Sequence, residues 1–103
     1  MGSLEKLHKE IEEIKKTIPN TIADDFCKLA EEVGELSQSI NKTIGIKKHN
    51  LTPDEIRLEV LEETADVLQN LLSIASSYNI STSEILEALE GKNEKWKNYK
   101  NGK

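Results

Sequence analysis

The apolar residues of this chain recur every three or four positions wherever they cluster, and this is the period of an α-helix. Leu7, Ile11 and Ile14 follow this spacing near the N-terminus, and Val33 and Leu36 follow it further along. No segment alternates with the period of two that a half-buried strand requires. We therefore predict an all-α fold with a four-helix bundle-like protomer.

Capping residues and helix breakers predict where these helices begin and end. Thr21, Thr52 and Ser81 are candidate N-caps, and the last two are followed three residues later by glutamate in a capping-box pattern. Gly91 lies inside the fourth helix, where it could loosen or interrupt it. The predicted helices cover residues 4–18, ended by Pro19-Asn20, then about 23–42, about 53–78 after a loop at 43–51, and a last helix from residue 82.

Length and charge narrow the class of protein. The 103 residues fit a single domain spanning 1–103, with no internal repeat. A net charge of −5 argues against general binding to a nucleic-acid backbone, which requires a cationic surface. No apolar run approaches the roughly 20 residues that span a bilayer, and no signal peptide is evident, so we expect a cytoplasmic protein without a membrane partner.

Acidic residues cluster on the second and third predicted helices. On a helical projection each cluster occupies an arc of about 100°. The clusters are Glu31, Glu32 and Glu35 on helix two, and Glu59, Glu62, Glu63 and Asp66 on helix three. Carboxylates from two antiparallel helices could ligate Mg²⁺, which prefers oxygen ligands. Lys28 lies within the first arc, however, and spacing alone leaves an ordinary solvated surface open as an alternative.

The apolar side of helix three is unusually wide. It covers roughly 200° of the helical projection, more than one side of a small bundle can bury. We therefore expect a second subunit against this helix, giving a dimer or a dimer of dimers.

Two motifs resemble a known family. Glu31-Glu32-Val33-Gly34-Glu35 is similar to the EExxE signature, and Glu63-Thr64-Ala65-Asp66 to the ExxD signature, of MazG-like nucleoside triphosphate pyrophosphohydrolases. The resemblance covers about residues 26–97, within a domain core of about 21–97. It implies cleavage of a nucleoside triphosphate between its α and β phosphates, giving a monophosphate and pyrophosphate.

The resemblance also implies a cofactor and site residues. The expected cofactor is Mg²⁺, with Mn²⁺ as an alternative, and the implied ligands are Glu32, Glu35, Glu63 and Asp66. Glu31 is either a further ligand or the catalytic base that takes a proton from the attacking water. On the last helix, Lys92, Lys95 and Trp96 are the candidate substrate-binding residues, of which the lysines would contact phosphates. Trp96 either stacks on the base or belongs to the core or an interface.

Two other functions compete with this expectation. A phosphoribosyl-ATP pyrophosphatase is also all-α and also uses paired acidic motifs, so it differs mainly in substrate. A non-catalytic helical oligomerisation module would carry the same acids only as a solvated surface. A di-iron carboxylate bundle is disfavoured because that site requires Glu-x-x-His on two helices, and no histidine follows these glutamates.

Overall fold

Four α-helices make up most of the computed structural model, which describes residues 3–18 and 21–100. They are α1 (Leu4–Lys15), α2 (Ile22–Thr43), α3 (Pro53–Ser77) and α4 (Thr82–Lys100). The described residues contain no strand, so the prediction of an all-α fold is confirmed. None of these helices combines the length and the apolarity needed to cross a membrane.

The predicted caps are present at the starts of the helices. Thr21 and Thr52 each complete a capping box with the acidic residue three positions on. The Ser81 hydroxyl accepts from the backbone N–H of Glu84 at 3.2 Å, and the Glu84 carboxylate accepts from the backbone N–H of Ser81 at 3.0 Å. Each box satisfies backbone donors that a helix start leaves unpaired. Sequence therefore determines where these three helices begin.

Two predicted helix details differ from the structure. The first helix ends at Lys15, and residues 16–18 form a turn instead of a further helical turn. The breaker assigned to Pro19-Asn20 lies outside the described residues. The last helix continues through Gly91 without interruption, because a single glycine costs only about 1 kcal/mol of helix propensity.

The central packing unit is an antiparallel pair formed by α2 and α3. Ser39 near the end of α2 donates to Glu59 near the start of α3, at 3.2 Å. At the other end, Ser73 donates to Asp25, also at 3.2 Å. The remaining helices join this pair through α1, which packs against both α3 and α4.

The fourth helix extends away from the α2–α3 pair. No contact joins α4 to α2 or α3 among the described helices, and every described side chain from residue 86 to residue 99 is exposed. The radius of gyration is 16.5 Å, whereas a compact domain of 100 residues has about 13 Å. The predicted bundle is therefore not closed within one protomer: three helices pack together and α4 projects, leaving Leu86 and Leu89 uncovered.

A buried histidine holds α4 to α1. His8 is 1% exposed, and its Nδ1 lies 2.7 Å from the Thr82 hydroxyl at the start of α4. Its Nε2 lies 3.0 Å from the Ser76 hydroxyl of α3. One side chain thus joins three helices, which fixes where α4 begins.

Apolar burial within the protomer is small. Among the described residues, only Ile56 and Leu72 are both apolar and buried. Phe26, Val33 and Ile40, which are spaced by seven residues along α2, are 66%, 48% and 43% exposed. The buried positions are mainly polar: His8, Asp25, Glu32, Ser39, Asn70, Ser73 and Thr82. Exposed apolar patches of this kind commonly mark sites of protein–protein contact.

The Glu59 carboxylate gives the fold a predictable pH dependence. It accepts from Lys42 Nζ at 2.8 Å and from the buried Ser39 hydroxyl. The hydrogen bond from Lys42 is the main reason that the pKa of Glu59 is lowered below its ordinary value of 4.5. The hydrogen bond from Ser39 lowers the pKa further, whereas partial desolvation opposes both effects. The ionised Glu59 carboxylate therefore stabilises the folded protein above pH 4.5, and this contribution disappears as the pH falls through the lowered pKa.

We expect Glu59→Gln to lower the melting temperature at pH 7 and to lower it much less at pH 3. The effect is modest, because the Glu59 side chain is 35% exposed and solvent screens the pair. Thermal denaturation of both proteins at the two pH values measures it. Glu62→Gln, an exposed position on the same helix, is the matched control. If Glu59→Gln lowered the melting temperature by the same amount at pH 7 and at pH 3, ionised Glu59 would not be the source of the stabilisation.

Candidate metal centre

Three carboxylates from the two acidic motifs converge between α2 and α3. One oxygen each from Glu32, Glu63 and Asp66 can be chosen so that all three lie within 4.8 Å of one another. The helical repeat places Glu63 and Asp66 on one side of α3, and the antiparallel pairing brings Glu32 of α2 opposite them. We call these three residues the carboxylate trio. The structure thus brings together three of the four residues implied as metal ligands.

Two oxygens of the trio are buried without a partner. Glu32 is 7% exposed, and its Oε2 accepts no hydrogen bond from any described residue. The same holds for Oε2 of Glu63. Buried carboxylate oxygens are normally satisfied by donors or by a cation. Glu32 and Glu63 therefore differ from fully solvated surface acids, whereas Asp66 is exposed.

The Glu63 carboxyl has an environment that disfavours its charge. Desolvation is the largest cause and raises its pKa above the ordinary value of 4.5. The neighbouring Glu35 carboxyl raises the pKa further, through a hydrogen bond that only a protonated acid can make and through its charge. Asp66 and Glu32 add further repulsion. A group of acids held this close favours a positive charge among them.

The donor set of the trio suits a hard divalent cation. All candidate ligand atoms are carboxylate oxygens, as Mg²⁺ and Mn²⁺ prefer, and no histidine or cysteine belongs to the group. Adjacent oxygens around Mg²⁺ are about 3 Å apart and opposite ones about 4.2 Å. The three carboxylates, spread over up to 4.8 Å, would therefore draw closer together around one ion, while their oxygen chemistry is the one that Mg²⁺ prefers. The residues therefore fit Mg²⁺, and the remaining coordination positions would be open to water and substrate.

The other acids of the first motif lie around the trio. Glu35 is exposed, and its carboxyl contributes to the raised pKa of Glu63. Glu31 is exposed and does not belong to the trio. Lys28 lies 3.4 Å from Glu32 Oε1, so the neutralising pair considered from the sequence is present with Glu32. Because Lys28 is 63% exposed on a flexible stem, this pair is weak and can open.

The candidate substrate-binding residues lie on α4, which in the described part of the chain does not pack against α2 or α3, the two helices that carry the trio. Lys92, Lys95 and Trp96 are exposed on α4, and Trp96 is 72% exposed. Since α4 packs against α1 alone among the described helices, Trp96 does not belong to the core of the protomer. Its roles in base stacking and in an interface remain predictions.

The polar residues near the trio that were not predicted as site residues are Lys15, Asp25, Asn70 and Ser73. Lys15 of α1 donates to Asp25 at 3.0 Å and to the backbone carbonyl of Ser73 at 2.7 Å, which ties α1 to α2 and α3. Asn70, one turn beyond Asp66 on α3, is 8% exposed. The sequence signal for Asn70 was that the acidic face of helix three continues with uncharged polar residues. The contacts of Lys15 with Asp25 and Ser73 join residues that are far apart in sequence, so no local sequence pattern indicates them.

Comparison with known proteins finds a partial relative and no family. No family model matches the chain, and no solved structure matches it. A Bacillus subtilis (strain 168) protein, whose name is "Uncharacterized protein YpjD", is 39% identical over 59 residues, which are 57% of this chain and 51% of that protein. The chain thus spans about half the length of this relative, whose name assigns no activity.

Proposed function

We propose that the chain is a Mg²⁺-dependent nucleoside triphosphate pyrophosphohydrolase. The observation that carries the proposal is the carboxylate trio, in which acids from the EExxE-like and ExxD-like motifs meet with two buried oxygens unsatisfied. The resemblance of those motifs to MazG-like enzymes supplies the reaction. A merely solvated acidic surface gives no reason for Glu32 and Glu63 to be buried or half-buried beside the exposed Asp66.

The residues around the trio have separable roles in this proposal. Glu32, Glu63 and Asp66 hold the ion, and Glu35 supports it from beside Glu63. When bound, Mg²⁺ neutralises phosphate oxygens and lowers the pKa of a coordinated water. Glu31, exposed next to Glu32, accepts the proton of the attacking water. Cleavage between the α and β phosphates then releases the monophosphate and pyrophosphate.

The active form in this proposal is a homo-oligomer, either a dimer or a dimer of dimers. Leu58, Leu61 and Leu68 form an apolar stripe on α3 that is 53%, 55% and 44% exposed. A second copy is its natural cover, because such a stripe is self-complementary about a two-fold axis. In the assembly, Lys92 and Lys95 reach the triphosphate from α4 of a neighbouring copy, since α4 does not contact α2 or α3 of its own protomer.

A substrate screen tests the proposed reaction. Purified protein is incubated with each common ribo- and deoxyribonucleoside triphosphate and with phosphoribosyl-ATP, with Mg²⁺ or with a chelator, and products are separated by anion-exchange chromatography. We expect pyrophosphate and the matching monophosphate, only when Mg²⁺ is present. Turnover of phosphoribosyl-ATP alone would assign the competing substrate. No turnover of any compound would leave the oligomerisation module as the better account.

A further inference from the structure

A cavity of about 600 Å³ lies at the end of the α2–α3 pair, where the connecting loop joins the two helices. Its walls come from the end of α2, the loop and the first two turns of α3. No residue of the carboxylate trio lines it. Its volume falls within the range of small-molecule sites, about 300 to 1,000 Å³. The cavity is therefore a candidate binding site separate from the metal centre.

The floor of this cavity is apolar. Ile56 is buried there, with 8% exposed, and Leu51 and Val60 are half-buried. The apolar lining residues are Ile40, Leu51, Pro53, Ile56 and Val60. A hydrocarbon group that leaves water for such a floor gains the free energy of apolar burial. The floor therefore favours a ligand with an apolar body.

His49 holds the loop wall of the cavity in place. Its Nδ1 accepts from the backbone N–H of Leu51 at 3.1 Å. Because Nδ1 is an acceptor, the ring carries its proton on Nε2, which donates to the backbone carbonyl of Lys42 at 3.1 Å. The imidazole is neutral in this arrangement and ties the loop to the last turn of α2. The wall is thus preformed, and His49 adds no charge to it.

The free charge at the rim of the cavity belongs to Arg57. Two cationic side chains line the cavity, Lys42 and Arg57. Lys42 Nζ donates to both carboxylate oxygens of Glu59, at 2.8 and 3.2 Å, so its charge is compensated. Arg57 is the only arginine of the chain, and it forms no hydrogen bond or ion pair with any described residue. The rim therefore presents one uncompensated positive charge.

We propose that this cavity binds an apolar monocarboxylate, with its carboxylate on the Arg57 guanidinium and its hydrocarbon body against Leu51 and Ile56. The planar guanidinium offers paired donors that match the two oxygens of a carboxylate. One positive charge balances a monoanion, whereas a phosphate monoester carries about −1.5 to −2. The surrounding chain repels no anion, since no acidic residue occurs between Glu35 and Asp54. The proposal is independent of the proposed function.

The test uses octanoate as the probe, titrated calorimetrically without Mg²⁺ or nucleotide. We expect octanoate to bind at least about tenfold more tightly than butanoate, which has four fewer methylenes to bury. It should also bind at least about tenfold more tightly than 1-octanol, which lacks the charge that Arg57 recognises. Octyl phosphate should bind no more tightly than octanoate, because the rim has a single free positive charge.

Three variants locate the ligand in the cavity. Arg57→Gln should weaken octanoate about tenfold and leave 1-octanol unchanged. Lys48→Gln is the matched control, because Lys48 belongs to the same loop but does not line the cavity; octanoate affinity should stay within about twofold. Ile40→Trp, at the mouth where Ile40 is 43% exposed, should weaken octanoate and 1-octanol alike.

Methyl NMR signals separate a built site from adsorption of a hydrocarbon tail. Binding in the cavity shifts the signals of Ile40 and Ile56, whereas adsorption to the apolar stripe of α3 shifts those of Leu58, Leu61 and Leu68. Shifts confined to the stripe would overturn the proposal, and so would octanoate that binds no more tightly than 1-octanol or that does not bind at all.

Unchanged octanoate affinity in Arg57→Gln would also overturn the proposal. Should that variant not fold, unchanged octanoate affinity in Ile40→Trp has the same consequence. Failure of the proposed function is measured separately, as the absence of triphosphate turnover by wild-type protein, and it leaves the octanoate titrations decisive for this cavity.

Discussion

Replacing Glu63 by glutamine is expected to reduce pyrophosphate release by more than about 100-fold, the upper end of what the outer partners of a metal site contribute. The substitution keeps the shape of the side chain and removes one anionic oxygen ligand from the carboxylate trio. Helical circular dichroism should be retained, because neutralising one of several repelling acids does not destabilise the fold. Steady-state rates with the best triphosphate substrate at saturating Mg²⁺ measure the effect.

Asp66→Asn should give the same result, since Asp66 is the second acid that α3 contributes to the trio. Glu62→Gln is the matched control, because Glu62 is an exposed neighbour on the same helix and lies outside the trio. It should keep turnover within a factor of about two. Near-normal activity in both Glu63→Gln and Asp66→Asn would remove the metal-site assignment.

Replacing Leu61 by lysine is expected to dissociate the oligomer and to lower the melting temperature strongly. Leu61 is 55% exposed in the protomer, and a substitution on a true surface changes stability by less than about 0.5 kcal/mol. A lysine buried against a second copy would instead leave an unpaired charge in an apolar interface, which costs several kcal/mol. Leu61→Lys is therefore expected to change stability little if Leu61 faces solvent and strongly if Leu61 lies in a subunit interface.

Sedimentation velocity and thermal denaturation at micromolar concentration measure this effect. The control is Glu62→Lys, which places the same side chain one position away and off the apolar stripe. The double variant Leu61→Lys/Leu68→Lys should be more severely affected than either single variant. Wild-type protein that sediments as a monomer, or a Leu61→Lys variant with unchanged melting temperature and mass, would contradict the oligomer.

Local structure in this chain is determined by sequence signals that act over a few residues. Thr21, Thr52 and Ser81 cap helices because their hydroxyls reach backbone donors three positions on. The meeting of the two acidic motifs also follows from local rules, since spacing fixes the helix face and a single connecting loop makes the pair antiparallel. These features were predictable because each depends on one helix or on two consecutive helices.

The features that sequence did not reveal depend on contacts between distant segments. Nothing in the sequence around His8 indicates burial, yet it contacts Thr82, 74 positions along the chain. A single polar residue in a helix looks solvated until its partners are known. The wide apolar arc of helix three was predicted, but periodicity does not say which part faces α2 and which part stays uncovered. The same holds for the surface of α2 that carries Phe26 and Val33, which is exposed.

The position of α4 was the largest difference. Its apolar residues were expected to complete a four-helix bundle, whereas the helix projects from α1 with Leu86 and Leu89 exposed. The short turn after α3 and the contact of His8 with Thr82 determine this direction. Sequence patterns predict that an apolar face is buried without saying by which chain.

The direct test of the central claim is whether the carboxylate trio binds a divalent cation. Titrating the protein with Mn²⁺, with free ion counted by electron paramagnetic resonance and Mg²⁺ added as a competitor, requires no assumption about substrate. We predict saturable binding by the wild-type protein and by Glu62→Gln, displacement by Mg²⁺, and loss of binding in Glu63→Gln. Wild-type protein that takes up no Mn²⁺ at millimolar concentration, or a Glu63→Gln variant that binds it equally well, would contradict the account.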